Sequence, residues 1–330
     1  MVSESVSQAY EAARHRVVSL PRTGRAWIVV SGKDRASYLQ GLLTNDIVAL
    51  QAGQGCYAAY LTPQGRLIAD LAVHELGDLL LLDVPLATRQ TVLSRLDQFI
   101  FSEDVQLGDV TDTFAGVSII GPGAGAMVAQ LVAADPDTMT ALPAYGSVRT
   151  TMEGGACIVL RSGDRGVEAF DLLVEPALLP RLTAALDEAG VPAADPAALE
   201  ALRIEAGLPV FGRDMDEEIL PLEAGIEARA ISFTKGCYVG QEVIIRVLHR
   251  GHGRVAKKLV GLTVDGDAVP AAGTPVETDG KAIGKVTSAA WSPRLARTVA
   301  LAYVHRDALA PGTAVQVSGR DGVVSALPFA

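Results

Sequence analysis

The 330-residue sequence predicts an α+β fold followed by a smaller all-β region. Helix-type apolar periods alternate with strand-sized apolar runs over the first ~250 residues. From Lys257 onward, short strand-like runs alternate with turn residues, and Asp279-Gly280 is a strong hairpin signal. We therefore place the α+β region at 1–250 and a barrel or sandwich at 255–330. A chain of this length is expected to form two or three domains.

The elements of the α+β region follow from apolar spacing and turn residues. In its first part we predict helices and strands in this order: helix 3–16, strand 27–30, a helix after 31–34, strands 56–61, 66–76 and 79–84, and helix 86–100. In its second part the order is strand 117–120, a helix after 125, strands 157–161 and 169–174, and helix 177–189. A further helix has Asp195 as N-cap and Pro196 at its first position, and it ends at Gly207.

Composition limits the functional classes. The net charge of −10 argues against general nucleic-acid binding, because an acidic protein repels phosphates. No apolar stretch has the length of a membrane-spanning helix, and the N-terminus lacks a secretory apolar region. The three cysteines Cys56, Cys157 and Cys237 are far apart, which suits a reducing compartment. We therefore expect a cytoplasmic protein without a membrane partner.

Basic residues concentrate in one segment of this acidic chain. Between positions 235 and 258, six of them are opposed only by Glu242: Lys235, Arg246, Arg250, Arg254, Lys257 and Lys258. Such a cluster is either a solvated edge or a local anion site, and both readings stay open. His249 and His252 have no third ligand at suitable spacing, so no metal site is predicted.

Cys237 lies in the most informative motif of the chain. Glycines flank it at positions 236 and 240, and Lys235 precedes it, an environment that favours a reactive thiolate. The run at 233–242 closely resembles the signature of the YgfZ family of folate-binding proteins, which are related to the aminomethyltransferase (T-protein) of the glycine cleavage system. The alternative is a glycine-rich turn that carries an inert cysteine.

Glu205 is the second candidate. It lies in the last turn of its helix, where the helix dipole disfavours a carboxylate. The segment 202–215 resembles the Arg-x-Glu-Ala-Gly element of the same superfamily, in which the glutamate meets the pterin ring. By this resemblance Glu205 and the neighbouring Arg203 bind the cofactor. As an alternative, both are ordinary surface charges.

Asp70 is the third candidate. Strand periodicity puts it on one face with Ile68, Ala72 and His74, a face that is either exposed to solvent or functional. The segment 65–73 resembles the superfamily strand whose aspartate lies near N5 and N10 of folate and is the catalytic candidate in aminomethyltransferases. Here Ala69 stands where transferases often have a second aspartate.

The resemblance covers nearly the whole chain and implies an architecture. It predicts two interleaved mixed α/β domains and a C-terminal β-barrel around a central folate pocket, in which Asp70, Glu205 and the Cys237 loop converge. Tetrahydrofolate or a substituted reduced folate is the expected cofactor. The implied site residues are Cys237 and Asp70 for chemistry, and these for the cofactor: Glu205, Asp70, Arg203, Lys235 and Arg246.

Three functions are compatible with these residues. The leading hypothesis is a tetrahydrofolate-binding protein that assists the assembly or repair of iron–sulfur clusters through the Cys237 thiol, with iron–sulfur proteins or their assembly factors as partners. The second is a folate-dependent aminomethyltransferase of the glycine cleavage type. The third is a folate carrier with a structural cysteine.

Overall fold

A computed structural model describes residues 4–251 and 253–330 of the chain. Two five-stranded sheets form within the α+β region, and a closed barrel forms in the C-terminal region. The predicted fold class is therefore confirmed. His252, one of the two histidines considered as metal ligands, lies outside the described residues.

The first sheet is built from one continuous stretch of chain. Its strands are β2 (Arg25–Ser31), β3 (Gly55–Leu61), β4 (Leu67–Glu75), β5 (Leu80–Pro85) and β6 (Gln106–Asp109). They lie in the order β3-β4-β5-β2-β6, with all neighbours antiparallel. Helices α2 (Arg35–Leu42) and α3 (Arg89–Asp97) pack on this sheet in a core that includes Leu71 and Val73. Because side chains alternate along a strand, the opposite face of β4 carries Asp70 and points away from these helices.

The strands of the second sheet come from two separate parts of the chain, one before and one after the first sheet. Its strands are β1 (Val18–Pro21), β7 (Ala115–Ile120), β8 (Ser147–Met152), β9 (Gly155–Arg161) and β10 (Ala169–Val174), in the spatial order β1-β7-β10-β9-β8. Strand β1 precedes the whole first sheet in sequence but pairs with β7, with Val18 opposite Ile120. The two α/β units are therefore interleaved. Helices α4 (Ala124–Leu131), α5 (Pro136–Ala141) and α6 (Leu179–Glu188) share the core of this sheet.

Five further helices join the sheets to each other and to the barrel. They are α1 (Glu4–His15), α7 (Pro196–Glu205), α8 (Pro221–Ala224), α9 (Glu227–Ala230) and α10 (Gln241–His249). The start of α7 is as predicted, since the Asp195 carboxylate accepts a hydrogen bond of 2.7 Å from the backbone N–H of Ala197. Gly207, just beyond its end, has a φ of +67°, a conformation that glycine adopts without steric cost.

The barrel closes through six antiparallel strands. They are β11 (Lys257–Val264), β12 (Pro275–Thr278), β13 (Lys281–Ser292), β14 (Arg297–His305), β15 (Ala314–Val317) and β16 (Arg320–Ser325). Strand β16 pairs with β11 and closes the ring. As predicted, Asp279 and Gly280 form the β12–β13 turn, and both have positive φ. Leu259, Tyr303 and Phe329 belong to a core that also contains residues of α1 and α7, so the barrel packs directly on the α+β region.

Across residues 4–251 and 253–330, no helix combines the length and the apolar character needed to cross a membrane.

Candidate functional site

A central cavity of about 260 Å³ lies between the two sheets, next to α7 and α9. Most of the residues that line it are polar or charged. The first sheet contributes Arg25, Tyr57, Asp70, Ala72, His74 and Asp83. The remaining wall comes from the β1–β2 connection, the second sheet with its β9–β10 loop, and the helices, and it includes Arg22, Tyr145, Asp164, Asp171, Arg203 and Arg229.

Asp70 reaches this cavity from the middle of β4. The strand is buried along its whole length, so the alternative of a solvent-exposed face is wrong. The Tyr57 hydroxyl donates a hydrogen bond of 2.8 Å to Asp70 Oδ2. Oδ1 has no hydrogen-bond partner among the described residues, and Arg25 Nη1 lies 3.9 Å from it. Burial raises the pKa of Asp70, which favours its protonated form.

Arg22 and Arg25 form an ion-pair network that crosses the cavity wall. Arg22 Nη2 lies 2.6 Å from Asp83 Oδ2, and Arg22 Nη1 lies 3.1 Å from Asp171 Oδ2. Arg25 Nε lies 2.6 Å from the other oxygen of Asp83. Burial alone would raise the pKa of Asp83, but the two guanidiniums bring it below its usual range. The network links the first sheet, through Asp83, to the second sheet, through Asp171.

His74 lies on the same face of β4 as Asp70 and is 2% exposed. Its Nδ1 lies 2.8 Å from the carbonyl oxygen of Tyr145, so Nδ1 carries the hydrogen and donates it. Burial lowers the pKa of His74 and keeps the ring neutral. The other ring nitrogen, Nε2, is then an acceptor, and it has no partner within the described part of the chain.

Aromatic rings form one side of the cavity. Tyr57 and Tyr145 stack with their centroids 6.0 Å apart and an angle of 19° between the planes. The guanidinium of Arg229 lies 4.4 Å from the centre of the Tyr57 ring, a cation–π contact. Burial, followed by the neighbouring Asp70 carboxylate, raises the pKa of Tyr57 well above its ordinary value. Tyr57 is therefore a neutral donor to Asp70.

Arg203 lines the cavity, but its guanidinium is fully engaged by protein groups. Nη1 bonds Asp214 Oδ2 at 2.7 Å and the carbonyl of Leu208 at 2.6 Å. Nε and Nη2 bond the two oxygens of Glu200, and Nη2 also bonds Ser288 Oγ of the barrel at 2.8 Å. Arg203 is buried, so the surface alternative is wrong, and its role in binding a cofactor stays a prediction. The hydrogen bond to Ser288 connects α7 to strand β13 of the barrel.

Glu205 is also buried, but the structure does not bring it to the central cavity. Its carboxylate accepts hydrogen bonds from the Tyr10 hydroxyl at 2.7 Å and from Ser292 Oγ at 2.5 Å. Arg294 Nε and Arg14 Nη1 lie 3.4 and 3.7 Å from its Oε2. These partners come from α1 and from the barrel and its adjoining turn. Glu205 lines a separate cleft together with Arg14 and Arg294. The expected convergence of Glu205 with Asp70 is thus corrected, because α7 turns the two side chains Arg203 and Glu205 toward different neighbours.

The Cys237 loop lies outside the cavity as well. Lys235 Nζ donates to the carbonyls of Gln40, Leu43 and Asn45, at 2.6, 2.6 and 2.8 Å. These carbonyls lie at the end of α2 and just after it, so the amine anchors the loop instead of facing the thiol. Burial lowers the pKa of Lys235 to about 8. Cys237 itself is exposed.

Arg246 lies on α10, with its side chain exposed and its Nη2 2.5 Å from Glu242 Oε1. Arg250 and Arg254 are exposed as well. None of the three lines the central cavity. The structure therefore groups Asp70 and Arg203 at the cavity and places Cys237, Lys235 and Arg246 outside it.

Sequence reasoning missed several residues of the cavity wall, including Arg22, Arg25 and Tyr57. One usable signal was Asp83, a single carboxylate inside the apolar run 79–84. A charge in a buried strand requires a buried partner, so this residue indicated a cation nearby. Nothing in the local sequence identified Arg22 and Arg25 as that partner, because Arg22 lies in the connection between the two sheets and Arg25 at the first position of β2.

Comparison with known families agrees with this architecture. Residues 2–235 match the GCVT N-terminal domain, and residues 257–329 match the glycine cleavage T-protein C-terminal barrel domain. The chain therefore belongs to the glycine cleavage T-protein family. An aminomethyltransferase of Rubrobacter xylanophilus is 34% identical over 91% of this chain and 79% of its own length. One of Streptomyces avermitilis is 34% identical over 92% of this chain and 83% of its own length.

A solved structure shows the same fold. The glycine cleavage system aminomethyltransferase T of Bartonella henselae superposes with a TM-score of 0.88 and 22% identity, over 98% of this chain and 89% of that one. The likeness establishes the fold of the two interleaved units and the barrel. The family is thus that of the T-protein, while the finer assignment to YgfZ stays a prediction.

Proposed function

We propose that the protein binds tetrahydrofolate or a substituted reduced folate in the central cavity and transfers a one-carbon unit of the aminomethyl type. The observation that carries this proposal is Asp70, a buried carboxylate with one oxygen on Tyr57 and the other without a hydrogen-bond partner among the described residues. Relatives over nearly the whole chain are named aminomethyltransferases, and the second of our sequence-based hypotheses is therefore preferred to the first.

The cavity wall fits a reduced folate. A pterin is a flat ring with both N–H donors and acceptors, and the wall combines the polar residues Asp70 and His74 with the flat rings of Tyr57 and Tyr145. A volume of about 260 Å³ is below the range usual for drug-sized ligands, so the benzoylglutamate part of a folate extends beyond the cavity. When bound, the folate supplies the nitrogens that accept the one-carbon unit.

Asp70 would hold or move a proton at the reacting nitrogen. Burial raises the pKa of Asp70, which favours the protonated form that can give a proton to the folate. The Tyr57 hydroxyl binds Asp70 Oδ2, so Oδ1 is the oxygen that would contact the folate. The Arg22–Asp83–Arg25 network stabilises the wall behind it.

The test is aminomethyl transfer from a lipoyl carrier protein to tetrahydrofolate, followed through the methylene-tetrahydrofolate that forms. We expect the wild-type protein to be active and Asp70→Asn to lose about a hundredfold or more in rate. Cys237→Ser serves as the control and should keep full activity. Folate binding without any transfer in the wild-type protein would contradict the proposal.

A second candidate function rests on Cys237, which is exposed on a glycine-flanked loop away from the cavity. In this function the protein binds folate and assists iron–sulfur enzymes through the thiol. Cells that lack the native protein separate the two candidates. Rescue of iron–sulfur enzyme activity by Asp70→Asn but not by Cys237→Ser would favour the second function, and the reverse pattern would favour transfer.

Arg246 belongs to the same proposal as a site for the glutamate tail of a folate. Its support is the basic segment around it, in which Arg250 and Arg254 are also exposed. Tighter binding of a polyglutamylated folate that fades as salt rises would support this role. If salt does not change the preference for the polyglutamylated folate, the basic segment is a solvated edge and not an anion site.

A further inference from the structure

The cleft beside Glu205 has a volume of about 370 Å³, which lies in the range of small-molecule sites. Two arginines and one glutamate form its polar side, and Ala206 and Pro328 belong to its apolar side. The arginines are Arg14 and Arg294, so the charged lining residues carry two positive charges against one negative, a net charge of +1. In a chain of net charge −10, this local excess of positive charge favours an anion.

Glu205 engages only part of the two guanidiniums. Its Oε1 accepts from Ser292 Oγ at 2.5 Å, and its Oε2 accepts from the Tyr10 hydroxyl at 2.7 Å. Arg294 Nε and Arg14 Nη1 lie farther from Oε2, at 3.4 and 3.7 Å. In the described part of the chain, Arg14 Nε and Nη2 and Arg294 Nη1 have no hydrogen-bond partner. Because a guanidinium has donors and no acceptor, only an acceptor can pair with these nitrogens.

The protein holds both guanidiniums at the cleft. Arg14 lies in the last turn of α1, and Arg294 lies in the turn between β13 and β14. Arg294 Nη2 also donates to the carbonyl of Phe329 at 3.1 Å. The two side chains are 35% and 28% exposed, so they reach the open space of the cleft. A pair of side chains that is positioned in advance loses little conformational freedom when a ligand binds.

The donors and the charge of the cleft select the class of ligand. The net positive charge repels a cation, and a neutral ligand would leave it uncompensated. A guanidinium binds phosphate and carboxylate groups through paired N–H···O bonds, which are stronger than hydrogen bonds between neutral groups. The cleft therefore fits an oxyanion.

We propose that the cleft is a binding site for an oxyanion, a phosphate or carboxylate group held between Arg14 and Arg294. Among the described residues, the cleft shares no lining residue with the central cavity, so this inference does not depend on the proposed folate chemistry. An anion bound there joins α1 to the barrel. Because the site exists only in the folded chain, binding stabilises the fold.

The experiment follows thermal unfolding of the whole chain at pH 7 in sodium phosphate, sodium acetate and sodium chloride of equal ionic strength. In the wild-type protein, phosphate or acetate should raise the Tm above its value in chloride, and the rise should saturate. Saturation with phosphate alone assigns a phosphate group, and saturation with acetate alone assigns a carboxylate. Phosphate also stabilises proteins through exclusion from their surface, but that effect requires no arginine pair. Absence of a saturable rise with both anions overturns the proposal.

Arg14→Gln removes one of the two guanidiniums. We expect the half-saturating concentration of phosphate or acetate to increase about tenfold or more, because charge-assisted hydrogen bonds are lost. Arg16→Gln is the matched control, since Arg16 is exposed just after α1 and does not line the cleft. It should keep the wild-type response. An unchanged half-saturating concentration in folded Arg14→Gln overturns the site.

Hydrogen exchange of the wild-type protein gives a second measurement that does not depend on how well a variant folds. Exchange in residues 4–15 should be slower in phosphate or in acetate than in chloride of equal ionic strength, because the anion ties α1 to the barrel. Equal exchange of this helix in all three salts overturns the proposal.

Discussion

Asp70 lies in the cavity wall at a cost in stability. Its folded-state pKa is raised above the ordinary value of 3.8, so ionisation costs more in the folded than in the unfolded chain. That cost is absent below pH 3.8, grows as pH rises through the folded-state pKa, and is complete above it. We therefore expect Asp70→Asn to raise the free energy of unfolding at pH 7 by about 0.5–2 kcal/mol while it removes activity.

Urea denaturation at pH 7 and at pH 3.5 measures this effect, and the gain should shrink at the lower pH. Asp83→Asn is the matched control, since Arg22 and Arg25 lower the pKa of Asp83 despite its burial. That variant should lose stability at pH 7. The loss should begin to decrease as pH falls below about 3.8, where the carboxylate of the unfolded wild-type chain takes up a proton, and should vanish below the lower folded-state pKa. A destabilised Asp70→Asn at pH 7 would refute the argument.

The three cysteines differ in exposure and therefore in expected reactivity. Burial raises the pKa of both Cys56 and Cys157 to about 12, which leaves little thiolate near neutral pH. Cys237 is exposed. We expect limited alkylation at pH 7.5, mapped by mass spectrometry, to modify Cys237 well before the other two. Equal labelling of Cys157 under native conditions would show that exposure does not control reactivity here.

At the scale of elements, Lys235 connects the cysteine loop to α2. Its amine donates hydrogen bonds to three backbone carbonyls at and just after the end of that helix, which would otherwise bond water. Lys235→Met keeps the length of the side chain but removes the donor, so we expect a loss of about 1–3 kcal/mol in the free energy of unfolding. Hydrogen exchange should increase in residues 40–46 and 232–240 but not in the barrel.

Lys285 of β13 provides the control for Lys235, because it is exposed. Lys285→Met should leave both the stability and the exchange pattern unchanged within about 0.5 kcal/mol. A Lys235→Met protein as stable as the wild type would mean that water satisfies the three carbonyls equally well.

Elements with strong local signals were predicted from the sequence. The cap of α7 by Asp195 and the Asp279-Gly280 turn depend on neighbouring residues alone, and both are confirmed. The strands β1, β6 and β8 were missed, and each lies at the edge of a sheet. All three bury few of their residues, so their apolar pattern is faint; β6, for example, has no buried residue.

The site was predictable only where the pattern of one strand sufficed. Alternation placed Asp70 and His74 on a common face, and the structure puts that face at the cavity. The roles of Glu205 and Lys235 depend on groups about 190 residues away in sequence, such as Tyr10 and the carbonyls after α2. Such partners are set by tertiary packing, on which local spacing carries no information.

At the scale of the whole molecule, Glu205 joins three units. Tyr10 of α1, Ser292 of β13 and Arg294 all contact its carboxylate, and its carbonyl accepts from the N–H of Phe329 at 2.8 Å. Glu205→Gln places an amide donor among donors, and we expect it to lower the free energy of unfolding by about 1–3 kcal/mol. Folate affinity should stay the same, since the cleft is separate from the central cavity.

Urea denaturation and calorimetry with 5-formyltetrahydrofolate measure the two effects of Glu205→Gln independently. Glu175→Gln, at an exposed position, should change neither. Weaker folate binding with unaltered stability would instead restore the pterin contact that the sequence suggested.

The pairing of β1 with β7 has a consequence for how the chain is made. Val18 leaves the ribosome roughly a hundred residues before its partner Ile120, which corresponds to about 5–20 s of translation. During this interval the strands of the first sheet emerge and can pair with one another, while β1 has no β7 to pair with. The interleaved order therefore delays completion of the second sheet until synthesis has passed β10.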